Sequence, residues 1–219
     1  VSMDLDTAAT MLIVSPIGAV PQGLAYDEAS GALYAISAGA RAVTRLDMMT
    51  GEATLITTFV YGNSNALAYH SGRSLLYCAD INSNTLFTVD PATGDVAEIG
   101  VISGAQDAEG LAYDAARDIL YGAAERADEI VVLDPDTANA VSIGLSMPSV
   151  NWRGLTYSPS MDALFASVSV SGSLYRIDDP AGSPSLVEIG LIGPARAVQG
   201  LAWVEDSVCR ADLDGDGEL

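Results

Sequence analysis

The chain has 219 residues, 49% of them hydrophobic and 17% charged, a balance that supplies a continuous core and excludes a disordered chain. Its net charge of −20 excludes nucleic acid and anionic membrane surfaces as partners, because both require arrays of basic side chains. No apolar run approaches the roughly 20 residues that a bilayer-spanning helix needs, so membrane insertion is not expected.

The chain opens at Val1, with no Met, basic segment or apolar signal core, as a mature secreted protein reads after removal of its signal peptide. Two short apolar stretches follow, Met3–Asp6 and Met11–Ile17. From there one phrase recurs: Gly23-Leu24-Ala25-Tyr26, Ala66-Leu67-Ala68-Tyr69, Gly110-Leu111-Ala112-Tyr113, Gly154-Leu155-Thr156-Tyr157 and Gly200-Leu201-Ala202-Trp203. Its first residues step by 43, 44, 44 and 46. About ten residues on comes Leu33-Tyr34, Leu76-Tyr77, Leu120-Tyr121 or Leu164-Phe165. A third phrase joins an aliphatic residue to aspartate, at Asp6, Asp47, Asp90, Asp134 and Asp178, each followed by a turn-rich stretch such as Pro91-Ala92-Thr93-Gly94. A fourth is an apolar strand containing Ile13, Ile56, Ile99-Gly100, Ile143-Gly144 or Ile189-Gly190.

Each unit therefore reads as four short antiparallel strands, and a period of 40 to 50 residues with four strands is that of a propeller blade. The expected fold is all-β: a five-bladed β-propeller with four-stranded blades, over residues 1–211. The last unit supplies a strand at Gly200–Val204 and another near Ser207–Ala211, and the two N-terminal stretches are expected to complete it and close the ring. The small residue opening each unit suits innermost strands that crowd around a central channel. Cys78 and Cys209 fall in blades that should not touch, so free thiols are expected in place of a disulfide. The phrases quoted resemble the bacterial YVTN/NHL-like superfamily of surface propellers over nearly the whole chain. That resemblance implies a fold and leaves function open, because propellers host many activities.

Residues 212–219 form an acidic tail, Asp212-Leu213-Asp214-Gly215-Asp216-Gly217-Glu218-Leu219. It resembles the start of an EF-hand or dockerin-type loop, which implies calcium held by Asp212, Asp214, Asp216 and the Glu218 carbonyl. The bidentate acid of such a loop lies at its twelfth position, past Leu219, so the calcium site is incomplete within these residues. Dockerin-bearing secreted proteins imply a tail that docks or anchors the propeller.

The residue before each first strand should face the channel mouth: Gln22, Asn65, Glu109, Arg153 and Gln199, with Asn151 and Trp152 beside Arg153 and Asp107 near Glu109. Polar groups converging with an indole suit a small polar ligand such as a sugar; equally, any propeller needs polar residues there to satisfy strand ends and ordered water. For glycoside hydrolysis two convergent carboxylates are required. Glu109 has only Asp107, Asp80 or Glu125 as possible companions. The single histidine, His70, excludes a histidine zinc cluster and is expected in a surface turn. The repeated aspartates are expected to cap turns on the opposite face.

Two function classes remain. One is an extracellular or cell-surface binding or scaffold module, acting on a glycan, a protein or copies of itself, without catalytic machinery. The other is a glycan-active or lactonase-like enzyme working through Glu109 and Arg153 at the channel mouth.

Overall fold

The structure is a computed structural model that describes residues 2–3, 10–11, 21–47, 50, 52–146, 152–168, 171–192 and 200–204. Val-, Leu-, Ile- and Tyr-rich stretches bounded by Asp, Gly and Asn turns give strands of five to seven residues from Gly23 onward. Two short strands come first, β1 (Ser2–Met3) and β2 (Thr10–Met11). The first blade is β3 (Gly23–Asp27), β4 (Ala32–Ser37), β5 (Ala42–Leu46) and β6 (Ala53–Thr58). The second is β7 (Ser64–His70), β8 (Leu75–Asp80), β9 (Thr85–Val89) and β10 (Val96–Val101). The third is β11 (Ala108–Asp114), β12 (Ile119–Ala124), β13 (Glu129–Leu133) and β14 (Ala140–Ser146), with a single 3₁₀ turn at Glu125–Ala127. The fourth is β15 (Trp152–Ser158), β16 (Ala163–Val168), β17 (Ser173–Asp178) and β18 (Ser185–Leu191). Each blade is an antiparallel meander in which sequence order is spatial order.

The five-bladed expectation is corrected: the described residues form four four-stranded blades. Closure by N-terminal strands is overturned too, because β1 and β2 pair with each other, Ser2 opposite Met11 and Met3 opposite Thr10, in a sheet of their own. The fifth occurrence of the repeated phrase, Gly200–Trp203, is not a strand. Its residues keep the packing half of the phrase without the ladder half. Leu201 and Trp203 join a core cluster with Phe165 and Ile189, and the Trp203 ring stacks on Phe165 at 5.3 Å. The Trp203 N–H donates to Thr156 Oγ1 at 2.7 Å. Repetition of an apolar phrase here gives a half-buried segment packed on the core without strand pairing.

First strands pack on one another around the axis, and fourth strands form the exposed rim. Between the blades lie buried aromatic and aliphatic side chains, among them Tyr77, Phe87, Tyr121 and Phe165, each contributing roughly 2–3 kcal/mol through burial. Rim strands carry a bulge within or beside the Ile-Gly phrase, and Gly144 there adopts φ +79°, a conformation that glycine adopts freely. Such bulges twist an edge strand away from pairing with another chain. Cys78 is a free, buried thiol whose pKa is pushed up by burial; Cys209 lies outside the described residues.

The repeated aspartates do cap turns. Asp47 Oδ1 accepts from the Thr50 N–H at 2.9 Å, Asp90 from Ala92 at 2.8 Å, and Asp134 from Asp136 and Thr137 at 2.8 and 2.9 Å. In the fourth blade Asp178 instead pairs with Arg176, and Asp179 takes over the turn by accepting from Ser183. Asp6 lies outside the described residues.

Candidate functional site

The second-to-third-strand loops and the blade-to-blade connections share one face, because they bond to each other. Phe59 N–H donates to the Arg41 carbonyl, Ile102 to Asn84 and Ile192 to Gly172. Arg41, Asn84 and Asp128 hold equivalent left-handed positions in the first three of these loops, with φ near +51°. Asn84 serves as a staple: its amide donates to the Ile102 and Ala105 carbonyls, and its oxygen accepts from the Asp107 N–H.

At this mouth the first strands of three blades are irregular at corresponding places. Register slips between Ser64 and Ala66, between Ala108 and Gly110, and between Trp152 and Leu155. The slips fall at Asn65, Glu109 and Arg153. An added residue in one strand re-aims its side chain, which is how bulges serve binding sites. The outcome is direct: Arg153 Nη1 forms an ion pair with Glu109 Oε2 across the blade boundary, and Arg153 Nη2 lies 3.5 Å from Glu125 Oε1. Arg126 Nε, from the same loop as Glu125, pairs with Asp107 Oδ2 at 2.5 Å.

Burial sets the electrostatics. It lowers the pKa of the Arg153 guanidinium. Glu125 moves the other way, its pKa raised first by burial and then by the charges of Asp107 and Asp128. Asn65 is 9% exposed, and its side-chain oxygen has no hydrogen-bond partner.

The remaining predicted residues are placed differently. Gln22 turns its amide oxygen to the Ala38 N–H at 2.6 Å, closing its own blade's loop. Trp152 is buried against Val168 and Ile177, edge-on to Tyr175, and presents no ring face to a ligand. Gln199, Asn151 and the tail residues Asp212, Asp214, Asp216 and Glu218 lie outside the described residues. Among the described residues no group of three or more His, Cys, Asp or Glu is arranged to hold a metal. Sequence reasoning missed Arg126 and Asn84. The signal for Asn84 was available, since Asn tolerates the left-handed conformation a tight loop needs.

Asp80, weighed as a second acid, serves the loop instead. It accepts from the Asn63 and Ser83 N–H groups at 2.7 and 2.9 Å, from Ser83 Oγ at 2.8 Å and from Ser64 Oγ at 3.3 Å. Burial alone would raise its pKa, but these donors hold it below the ordinary carboxylate value. Asp80→Ala should cost about 2–3 kcal/mol in denaturant unfolding, because two backbone donors lose their acceptor.

His70 sits at a turn yet is only 3% exposed, so the surface-turn expectation is corrected. Its ring stacks on Tyr113 at 3.9 Å and tilts over Tyr77, and Nε2 lies 3.0 Å from Asp118 Oδ1. Burial lowers its pKa, with Arg73 adding to that and Asp118 opposing it. A histidine depressed in the folded state contributes stability above its unfolded pKa near 6.5, and this is lost as pH falls toward the folded value. The stability difference between the parent and His70→Phe should therefore shift in favour of the variant as pH falls from about 7 to 5, read by urea unfolding at each pH.

No protein-family model matches the sequence, and no curated protein matches it. Solved structures do share the fold. One is a chain of the crystal structure of a nidogen/laminin complex, at 14% identity and TM-score 0.64, covering 83% of this chain and 67% of that one. Another is a structural-genomics protein of unknown function from Bacteroides thetaiotaomicron VPI-5482, at 15% identity and TM-score 0.67, covering 85% and 55%. A third is Kuenenia stuttgartiensis hydrazine synthase, at 20% identity and TM-score 0.56, covering 78% and 49%. The chain thus spans between about half and two thirds of these three solved chains. At these identities the likeness shows the fold alone, that of a β-propeller repeat protein.

Proposed function

We propose that this chain is a secreted, non-catalytic binding module that engages a protein or a glycan at its channel mouth. The observation that carries this reading is that three of the mouth's carboxylates are already engaged by the protein's own groups. Glu109 is paired with Arg153, Asp107 with Arg126, and Asp80 with four donors. A hydrolase needs an acid and a base free to exchange protons with a substrate. The nidogen/laminin neighbour, named as a complex of two proteins, supports protein recognition by this fold.

The enzyme reading draws on one specific feature: Glu125, with its raised pKa, shares Arg153 with Glu109. The double variant Glu109→Gln/Arg153→Met separates the two. A binding module gives no turnover of glycoside or lactone substrates in either protein and altered ligand binding in the variant. Turnover in the parent that disappears in the variant would establish the enzyme instead.

Calcium belongs to the same proposal through Asp212, Asp214, Asp216 and Glu218, whose oxygens suit a hard cation. Because these groups make only part of a calcium loop, calorimetric titration of calcium into the full chain should show weak binding, abolished in Asp212→Asn/Asp214→Asn. Light scattering with and without calcium tests whether copies associate.

A further inference from the structure

We propose that His70 is an acid-released latch: its neutral ring holds the second and third blades together on the face opposite the mouth, and its protonation lets that one boundary open while the other blades stay packed. His70 follows the repeated phrase, at a position that Asp27, Asp114 and Ser158 hold in the other blades. Those three side chains cap their own turns. Asp27 Oδ1 accepts from the Ala29 N–H at 3.1 Å, Asp114 Oδ1 from Ala116 at 2.9 Å and Ser158 Oγ from Met161 at 3.3 Å. The His70 ring caps nothing in its own turn and crosses to the next blade, where it stacks on Tyr113 at 3.9 Å with Nε2 3.0 Å from Asp118 Oδ1. A turn cap has been exchanged for a contact between blades, made by a group that changes charge between about pH 5 and 8.

The surroundings suit one form of that ring. Tyr77 lies tilted against it from β8, and Tyr113 faces it from β11. The β11–β12 turn brings Asp118, whose Oδ1 already accepts from the Tyr113 hydroxyl at 3.0 Å. The β7–β8 turn brings Arg73, which donates to the Tyr77 hydroxyl and grips Asp136 of the β13–β14 turn with both terminal nitrogens. A neutral imidazole offers one N–H, and Asp118 stands at Nε2 to receive it. Protonation adds a second donor at Nδ1, which is buried and faces no acceptor. The Tyr113 ring face and Asp118 favour the cation, but burial, the largest influence, together with Arg73 outweighs them, so the pKa falls below its ordinary 6.5. The contact is therefore intact at neutral pH and is lost as pH falls below 6.5 toward the folded value.

The next boundary is built from groups that do not titrate in this range. Between the third and fourth blades Arg117 pairs with Asp162, and its hydrogen bonds hold the Asp162 pKa below the ordinary carboxylate value. Acid thus acts on the first of these boundaries and spares the second.

Two measurements on the full chain test the latch. Because the chain has a single histidine, its ring Cε1–H resonance belongs to His70 and can be titrated directly by NMR. The midpoint should lie below 6.5, fall further in Asp118→Asn and rise in Arg73→Ala. A midpoint at or above 6.5, or one indifferent to both substitutions, overturns the proposal. Hydrogen exchange at pH 7.5 and 5, corrected for intrinsic rates, reads the opening itself. Segments 64–80 and 108–124 should exchange at least about fivefold faster at pH 5, while segment 152–168 does not. Tryptophan emission should stay unchanged, since Trp152 opens the fourth blade and Trp203 stacks on its Phe165. In His70→Phe, which keeps an apolar ring and cannot be protonated, the acceleration should vanish. No acceleration in the parent, the same acceleration in His70→Phe, or a tryptophan change that accompanies it would each overturn the latch: the first removes the opening, the second assigns it to another group, and the third makes it global unfolding.

Discussion

Gly110→Val should unfold with a loss of more than about 3 kcal/mol. A Cβ on Gly110 would stand 2.5 Å from the Arg153 carbonyl oxygen and 2.8 Å from the Leu155 nitrogen. Both are backbone atoms of the next blade's innermost strand, so no rotamer change can clear them. Gly23 meets the Asn65 carbonyl of its neighbour in the same way, and Gly200 meets the backbone of Gln22 and Gly23 at 3.1 Å. The opening residue of the repeat is thus the point where one sector's backbone rests on the next; the second unit fits Ala66 there, but a branched side chain at Gly110 must push blades apart. Gly144→Ala serves as the control. Its φ of +79° imposes a local penalty of about 1 kcal/mol, but nothing lies within 4 Å of the added carbon. Equal losses for the two, measured in the same denaturant titration, would show that blade contact is not what the repeated glycine protects.

The repeat was legible because its phrases are physical requirements repeated in every sector. Glycine or alanine is needed where backbones touch, leucine and tyrosine between the blades, and aspartate where a turn must bind its own N–H groups. What those phrases did not encode is whether each sector finds ladder partners. Leu201 and Trp203 look like their counterparts Leu155 and Tyr157, yet they are only half-buried where those are buried, and Gly200–Trp203 forms no strand, while β1 turns to β2. Apolar pattern reports burial, and burial is shared by strands and extended segments alike.

The mouth was half legible for a related reason. Position before the repeat phrase picked out Gln22, Asn65, Glu109, Arg153 and Gln199, of which Glu109 and Arg153 meet in an ion pair. It also picked Trp152, whose neighbour in sequence points the other way, as alternation along a strand requires. The partnership of Arg153 with Glu125 and of Arg126 with Asp107 depends on a loop from another strand pair. No spacing along the chain contains it.

Arg153→Ala should destabilise the protein by about 3 kcal/mol or more, a loss far beyond that of an ordinary surface arginine. Glu109 is 4% exposed, and its carboxylate faces Arg153 across the boundary between the third and fourth blades. Removing the guanidinium leaves a buried charge with neither water nor cation beside it. Replacing both partners with apolar groups of similar size removes that penalty along with the attraction, so Glu109→Leu/Arg153→Met should be more stable than Arg153→Ala alone. The single variant should recover part of its loss as pH is lowered, since a protonated Glu109 no longer needs a counter-charge. Exposed pairs such as Arg73 with Asp136 lack that dependence on burial, and Arg73→Ala should shift the unfolding midpoint only slightly. If Arg153→Ala proved as mild as Arg73→Ala, Glu109 would have to be reached by water in solution, and the mouth would be wetter and more open than the ion pair implies.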